Sequence, residues 1–245
     1  MQKKGEPDSG DMLIQMFMPK PQTLYVAATF AEVDALGKEQ PLHWPGGHYT
    51  SKHLKGPSKA DIKIEEAFAH FEIEDEQVLD TTCLELGGAP GGWTNFLLEK
   101  GAIVTSVDLA DTKISHTNHT HIKGDANDVI DQFADGVDWL VADLSMPPDK
   151  SLDLLFQYLN REIPERFVWS LKFAYHPDGK WNQVIQNARK MFEQLAYDHR
   201  IRHMYYQKRE ILIWGQKRKL TEQYYTLLDE VETFTEVDGE AVPEM

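Results

Sequence analysis

A glycine-rich turn, Leu86-Gly87-Gly88-Ala89-Pro90-Gly91-Gly92-Trp93, follows the strand-like run TTCLE (Thr81 to Glu85) and precedes a helical pattern. Glycines at such a turn let the backbone close on a ligand, and the free N–H groups of a helix start can meet a carboxylate or phosphate. A strand–turn–helix junction is also where open α/β sheets bind nucleotide-like ligands. Three acids fall where a nucleoside would need them. Glu85 precedes the turn. Asp108 ends the next strand about 20 residues on, where a carboxylate can accept hydrogen bonds from ribose hydroxyls. Asp125, in KGDAND, ends the third strand and can meet an adenine amino group. A dinucleotide fingerprint needs G-x-G-x-x-G; here Ala89 takes the second glycine position and Pro90 follows, so a nicotinamide dinucleotide fits poorly.

These residues need a scaffold that brings strand ends together. Ala60, Ile64, Ala67, Phe68 and Phe71 recur at helical spacing, so ADIKIEEAFAHF reads as an amphipathic helix with Ser58 as its N-cap. Strands are expected at Thr82 to Leu86, Ile103 to Val107, His121 to Lys123, Val137 to Ala142, Phe167 to Lys172, His203 to Gln207 and Ile211 to Trp214. Helices are expected near Trp93 to Lys100, Ala126 to Phe133, Leu152 to Leu159 and Trp181 to Leu195. This interleaving predicts an α/β fold with a mostly parallel, seven-stranded sheet covered on both faces. The last two strands leave only Lys208 to Glu210 between them, which demands a hairpin and hence an antiparallel terminal strand. Ahead of this region, residues 1 to 20 read as a loose arm or lone strand. Leu24 to Phe30 reads as a strand and Pro41 to Tyr49 as a loop. The expected organisation is a small appendage over 1–57, the main domain over 58–220 and an acidic tail over 221–245.

Composition narrows the function classes. The chain has 245 residues and a net charge of −15, which argues against indiscriminate nucleic-acid binding. The charge is uneven: Thr221 to Met245 holds eight acids and no Lys or Arg. The bases cluster at Lys52, Lys55, Lys59 and Lys63, and again at Arg200, Arg202, Lys208, Arg209, Lys217, Arg218 and Lys219. The single cysteine, Cys83, fits a reducing compartment, and no apolar run reaches membrane-spanning length, so a soluble, cytoplasmic protein is expected. A monomer is expected, though nothing in the sequence argues for it. His116, His119 and His121 stand at a spacing that gives no good ligand geometry, so no metal is expected.

The pattern acid-x-Gly-x-(Gly/Ala)-x-Gly, Glu85 to Gly91, resembles the first motif of S-adenosylmethionine (SAM) dependent methyltransferases. The longer run ELGGAPGGW, Glu85 to Trp93, resembles the D-L-G-x-x-P-G-G-W loop of the FtsJ-like (RrmJ-like) RNA 2′-O-ribose methyltransferases, with Glu85 in place of Asp. SKADIKIEEAF, Ser58 to Phe68, looks closest to the RlmM branch, which methylates a cytidine ribose of large-subunit ribosomal RNA. The resemblance covers roughly Ser58 to Lys217. Residues 21–57 look like the linker strands of that branch, whose N-terminal RNA-binding portion is expected to be absent or cut short. It implies a Rossmann-like SAM methyltransferase fold, SAM as cofactor with S-adenosylhomocysteine as product, and contacts from Glu85, Gly87, Ala89, Pro90, Gly91, Gly92, Trp93, Asp108, Asp125 and Asp143. It also implies a Lys-Asp-Lys-Glu tetrad. Lys63 matches the lysine of the helix before the first strand, Asp143 the aspartate closing the fourth strand, Lys172 the lysine closing the fifth and Glu210 the glutamate opening the last.

A ribose hydroxyl is a weak acid, so its attack on a sulfonium methyl needs a base that takes the proton as the bond forms. An ordinary lysine, with a pKa of about 10.4, is protonated at neutral pH. A second ammonium and partial burial both disfavour the charged form, and Lys63 with Lys172 is expected to be such a pair, with Asp143 and Glu210 limiting how far both pKa values fall and fixing the amines by charge-assisted hydrogen bonds. Lys172 is then the base, Asp143 its orienting partner, and Lys63 and Glu210 position the hydroxyl. Lys52, Lys55, Lys59, Arg200, Arg202, Lys208 and Arg209 are the expected RNA contacts, with Trp44, Tyr49 and His53 available to stack on a splayed nucleotide. The rival readings are a SAM-binding interaction module without catalysis, and methylation of a base or a small molecule.

Overall fold

The computed structural model describes residues 12–30, 58, 60–173, 181–204 and 209–218. The first elements are strands β1 (Met12–Lys20) and β2 (Thr23–Phe30), which pair antiparallel as a two-stranded sheet. Of the segment 1–20 expected as a loose arm or lone strand, residues 12–20 thus form one half of a hairpin, and 1–11 lie outside the described residues. The expected loop at 41–49 and the tail at 221–245 lie outside the described residues.

The main sheet is built from β3 (Thr82–Leu86), β4 (Ile103–Asp108), β5 (His119–Lys123), β6 (Val137–Ala142), β7 (Pro164–Lys172), β8 (Tyr197–Arg202) and β9 (Glu210–Lys217), in the order β5-β4-β3-β6-β7-β9-β8. Parallel pairing runs from β5 through to β7, and β9 enters antiparallel between β7 and β8. This is the expected mixed sheet with an antiparallel strand at its end. The strand order reverses between β3 and β6, and a crevice opens there beyond the carboxyl ends of the strands.

Helices α1 (Ala60–Phe71) and α2 (Gly92–Glu99) cover one face, and α3 (Pro148–Asn160) and α4 (Trp181–Gln194) the other. Each face has its own core. Ile64, Phe68 and Phe71 of α1 join Trp93 and Phe96 of α2 over Trp139, Val141, Val168 and Leu212. On the opposite face Leu155, Tyr158 and Phe192 pack on Leu140, Phe167, Trp169 and Ile213. Strand β7 shows the alternation plainly, with Phe167, Trp169 and Leu171 to one core and Val168 to the other. Trp93, Trp139 and Trp169 are fully buried, each worth about 2–3 kcal/mol of apolar transfer.

Two expected elements differ. The strand expected at 203–207 lies at Tyr197–Arg202 instead, where Asp198, Arg200 and Arg202 alternate with less polar residues on an edge strand. Of the expected range, 205–207 lie outside the described residues. Ala126 to Phe133 is not an α-helix but turns and a short 3-10 helix, Ile130–Phe133. The Ala126 carbonyl, which a helix would offer to its own backbone, accepts the Tyr158 hydroxyl at 2.7 Å.

Candidate active site

The crevice beyond β3, β4 and β6 is a cavity of about 350 Å³ lined by Gly87, Ala89, Asp108, Asp125, Asp143 and Met146 among others. That volume falls in the range of small-molecule sites. Gly87, with φ +83°, starts the loop over it, and its N–H donates to Val107 O at 2.8 Å. A Cβ there would stand 3.0 Å from Leu144 Cδ2, so glycine keeps the loop pressed on the strand below. Asp108 stitches the rim together: its Oδ2 accepts from Ala89 N at 3.0 Å and its Oδ1 from Ala110 N at 2.8 Å. Asp125 Oδ1 accepts from Asn127 N at 2.8 Å and Asn127 Nδ2 at 2.7 Å. Those bonds, the backbone one first, hold its carboxyl below the ordinary range. Carboxylates spaced along one rim, with apolar Leu109 and Met146 between them, form an acceptor set that fits an adenosine: acids to accept from the ribose hydroxyls and the amino group, apolar surface for the ring.

The other loop residues expected to touch a cofactor, Glu85, Pro90, Gly91, Gly92 and Trp93, do not line this cavity and make the following contacts. Glu85 is buried, its Oε2 accepts from Thr94 Oγ1 in α2, and its carboxyl is pushed up to about 7, first by burial and also by the charges of Asp143 and Asp108. Pro90 O accepts from Lys113 N at 3.1 Å. Gly91 adopts φ +115°, and a Cβ there would collide with Ile114. At Gly92 a Cβ would run into Ser58 Oγ and come within 3.2 Å of Ala60 Cβ, so this glycine lets α2 start against α1. Trp93 is buried and donates from Nε1 to Ala60 O at 2.9 Å. The Pro-Gly-Gly-Trp signature thus fixes how α1 meets the loop, and α1 carries Lys63. Ser58 Oγ accepts from Ala60 N at 3.2 Å at the same helix start.

Four residues from four elements meet next to the cavity. Lys63 Nζ of α1 donates to Glu210 Oε2 at 2.7 Å and to Asp143 Oδ2 at 3.4 Å. Lys172 Nζ donates to the backbone O of Asp143 at 2.9 Å and to Ser145 Oγ at 3.4 Å, and lies 3.1 Å from Asp143 Oδ1. That last contact is an ion pair without hydrogen-bond geometry, since Oδ1 has no hydrogen-bond partner among the described residues. Register explains the meeting: Lys172, last in β7, pairs directly with Glu210, first in β9, and Asp143 follows the last residue of the neighbouring β6. All four side chains are mostly buried, with 13% to 19% of their surface exposed.

Lys63 departs from expectation. Burial opposes its charge, but the Asp143 and Glu210 carboxylates outweigh burial and raise its pKa above the usual lysine value. It is therefore held as a cation: the two carboxylates expected only to limit a fall in its pKa instead raise it. An arrangement of one anchored ammonium, one carboxylate shared by two amines, and a second amine beside a nucleoside-sized cavity is suited to taking a proton from a hydroxyl held there.

Of the expected RNA contacts, Lys52, Lys55, Lys59 and Lys208 lie outside the described residues, as do Trp44, Tyr49 and His53. Arg200 is committed to the fold: it donates to Glu72 Oε2 at 3.1 Å and lies over the Trp214 ring at 5.4 Å. Arg202 and Arg209 are exposed. His119 Nε2 and His121 Nδ1 both bond Ser106 Oγ, at 2.8 and 2.9 Å, while their other nitrogens meet Ile114 O and Ala110 O. These histidines pin the β4–β5 connection; among the described residues no group of three or more His, Cys, Asp or Glu could hold a metal ion.

Sequence reasoning missed Ser145 and Thr94, which touch Lys172 and Glu85. Their only signal was position, two residues after Asp143 and in the first turn after the glycine loop.

Residues 57–175 match the family model described as FtsJ-like methyltransferase. Proteins named Ribosomal RNA large subunit methyltransferase M are similar in sequence. The one from Marinomonas sp. (strain MWYL1) is 29% identical over 171 residues, 64% of this chain and 47% of that protein. The one from Laribacter hongkongensis (strain HLHK9) is 28% identical over 214 residues, 82% of this chain and 58% of that protein. The chain spans about half the length of these curated relatives. A solved structure of a candidate hemolysin from Lactococcus lactis superposes with a TM-score of 0.55 at 20% identity, covering 74% of this chain and 100% of that one. At that identity the likeness concerns the fold alone.

Proposed function

We propose, from the FtsJ-like methyltransferase sequence carried by residues 57–175, that this protein moves a methyl group from SAM to a ribose 2′-hydroxyl of RNA, with ribosomal RNA as the substrate class. The similarity to proteins named as large-subunit ribosomal RNA methyltransferases supports the substrate. The observation that carries the chemistry is the meeting of Lys63, Asp143, Lys172 and Glu210 at the edge of the cavity.

In this reading Asp108 and Asp125 hold the nucleoside of SAM, and the backbone of Gly87 to Ala89 closes over it. SAM supplies an electrophilic methyl carbon on a sulfonium. Lys172 takes the proton of the ribose hydroxyl. Asp143, which lines the cavity, holds that amine through its backbone oxygen and its carboxylate. Lys63 keeps its proton between Glu210 and Asp143, and its charge opposes a second positive charge at Lys172 while it holds the hydroxyl oxygen. Holding the reacting atoms in line supplies the rest of the rate. Arg202 and Arg209, with Lys52, Lys55, Lys59 and Lys208, contact RNA phosphates. Residues 58–220 form the catalytic domain, with 1–57 as an appendage and 221–245 as an acidic tail, and the protein acts as a monomer in the cytoplasm.

The test is the location of the methyl. Tritiated SAM is supplied with a transcript of large-subunit ribosomal RNA, and the labelled RNA is hydrolysed with alkali. Label in alkali-resistant dinucleotides is the expected result, because a 2′-O-methyl blocks cleavage of the adjoining linkage. Label in mononucleotides would mean base methylation, and no transfer at all would overturn the reading.

A further inference from the structure

Ser106 of β4 is fully buried against the glycine loop: a Cβ at Gly88 would stand 2.7 Å from Ser106 Cβ. Two rings of β5 meet its hydroxyl, His119 Nε2 at 2.8 Å and His121 Nδ1 at 2.9 Å. Their other nitrogens reach the segment that joins β4 to β5, His121 Nε2 to Ala110 O at 3.1 Å and His119 Nδ1 to Ile114 O at 3.3 Å. That segment borders the cavity. It begins at Leu109, which lines the cavity; Lys113 N donates to Pro90 O at 3.1 Å, and Ile114 fills the space that a Cβ at Gly91 would take.

Four contacts need four hydrogens, but one hydroxyl and two neutral imidazoles carry three. The chain of donors that serves the shorter contacts runs one way. His119 Nε2 donates to Ser106 Oγ, Ser106 Oγ donates to His121 Nδ1, and His121 Nε2 donates to Ala110 O. His119 Nδ1 is then a bare lone pair facing the Ile114 carbonyl, and this contact is the longest of the four. One added proton, on His119, supplies the missing donor.

We propose that His119 is a positioning residue of the SAM site that works as a pH-sensitive tie: with one proton added at Nδ1 it donates to Ile114 O and closes the 109–114 segment on the glycine loop. The inference rests on the reading of this cavity as the SAM site. The proton comes from water, and the one bond formed is N–H. A closed segment sets Leu109 and the turn at Asp108 in place before a ligand arrives, so less ordering is left for binding to supply. Facing His119 are His121, with ring centroids 6.4 Å apart, and His116, whose carbonyl accepts from His119 N at 3.1 Å. From β4 comes the uncharged Ser106. Asp111 and Lys123 pair with each other at 2.9 Å, and Lys113 is the other charged residue of the segment. Asp108 ends β4, and Glu85 Cδ lies 3.4 Å from the same added Cβ at Gly88. Burial, first, holds the His119 ring below the ordinary histidine value; the Ile114 carbonyl pulls the other way, and His121 and His116 add to the burial. The tie is therefore open near neutral pH and closes on the acid side.

Affinity for S-adenosylhomocysteine is measured by calorimetry from pH 8 to pH 5.5 on the full chain, wild type and His119→Gln. The His119 ring of the wild type is titrated by 15N NMR with and without S-adenosylhomocysteine, and His119→Gln assigns the signal. Closing the tie is worth one hydrogen bond, so the ratio of wild-type to variant affinity should grow about three- to tenfold from pH 8 to pH 5.5. Comparing the two proteins removes the contribution of Glu85, which both carry. By reciprocity the ligand raises the pH at which His119 titrates by the same factor, about 0.5 to 1 pH unit. Ser106→Ala frees Nε2 from its donor role, so neutral His119 carries its hydrogen on Nδ1 and the tie is closed at every pH. Its affinity relative to His119→Gln should then stay constant across the range. A merely structural histidine would lower affinity by one factor at every pH. A wild-type to His119→Gln ratio that does not change with pH, or a His119 titration that S-adenosylhomocysteine leaves in place, overturns the inference alone. A wild type that binds no S-adenosylhomocysteine at any pH overturns the reading of the SAM site, and the inference with it.

Discussion

Glu85→Gln separates the scaffold role of this acid from the chemistry beside it. Glu85 is buried, and burial with the charges of Asp143 and Asp108 lifts its pKa from 4.5 to about 7. The unfolded chain therefore gives up this proton near pH 4.5 and the folded protein only near pH 7. Between those values the folded state binds the extra proton, so this group's contribution to stability falls as pH rises and stays lower above pH 7. The whole difference amounts to about 3.5 kcal/mol, at roughly 1.4 kcal/mol per pH unit. Glutamine keeps the acceptor for Thr94 Oγ1 and never ionises. Its buried amide adds a cost of its own, but that cost is the same at every pH. The stability of Glu85→Gln relative to wild type should therefore improve by about 2.5 kcal/mol between pH 5 and pH 8, part of the effect being already present at pH 5, or about 5 to 10 °C in Tm for a chain of this size. Thermal melts of both proteins at the two pH values measure it. A difference that does not change with pH, or that moves against the variant at pH 8, refutes the reasoning.

Asp108→Ala removes both acceptors that tie Ala89 to Ala110, so affinity for S-adenosylhomocysteine should fall about 10- to 100-fold by calorimetry, with the fold retained. Gly91→Ala places a side chain against Ile114 at a positive φ and should cost about 2–3 kcal/mol in denaturant melts. Gly124→Ala, with nothing within 4 Å of the added carbon, should melt like the wild type. Arg200→Ala should lower stability by about 1 kcal/mol through loss of Glu72 and Trp214 while leaving RNA affinity nearly unchanged. Arg202→Ala should do the reverse, weakening RNA binding and reducing the salt slope by about 1.

The sheet was most legible where both faces are apolar. Strands β3 and β6 fall at the expected residues because Leu84, Leu86, Leu140 and Val141 leave no other way to bury them. Strand β8 was misplaced because it is an edge, where Asp198, Arg200 and Arg202 face outward or toward local partners and the apolar alternation fades. Ala126, Val129, Ile130 and Phe133 have helical spacing, yet a long-range contact from Tyr158 takes the first carbonyl, and spacing alone carries no sign of that. At the site, the motif located Lys63, Asp143, Lys172 and Glu210. It did not reveal that Lys63 is held as a cation, since that depends on a 2.7 Å contact outweighing burial. Gly91, Gly92 and Trp93 were legible as a signature but not as packing, because their partners Ile114, Ser58 and Ala60 are distant in sequence.

Single-turnover methyl transfer by Lys172→Ala, with SAM and a large-subunit ribosomal RNA transcript both saturating, bears most directly on the proposed chemistry. Loss of a positioned base predicts a rate at least about 100-fold below wild type, with binding of S-adenosylhomocysteine unchanged. Transfer within a few-fold of the wild-type rate would contradict it.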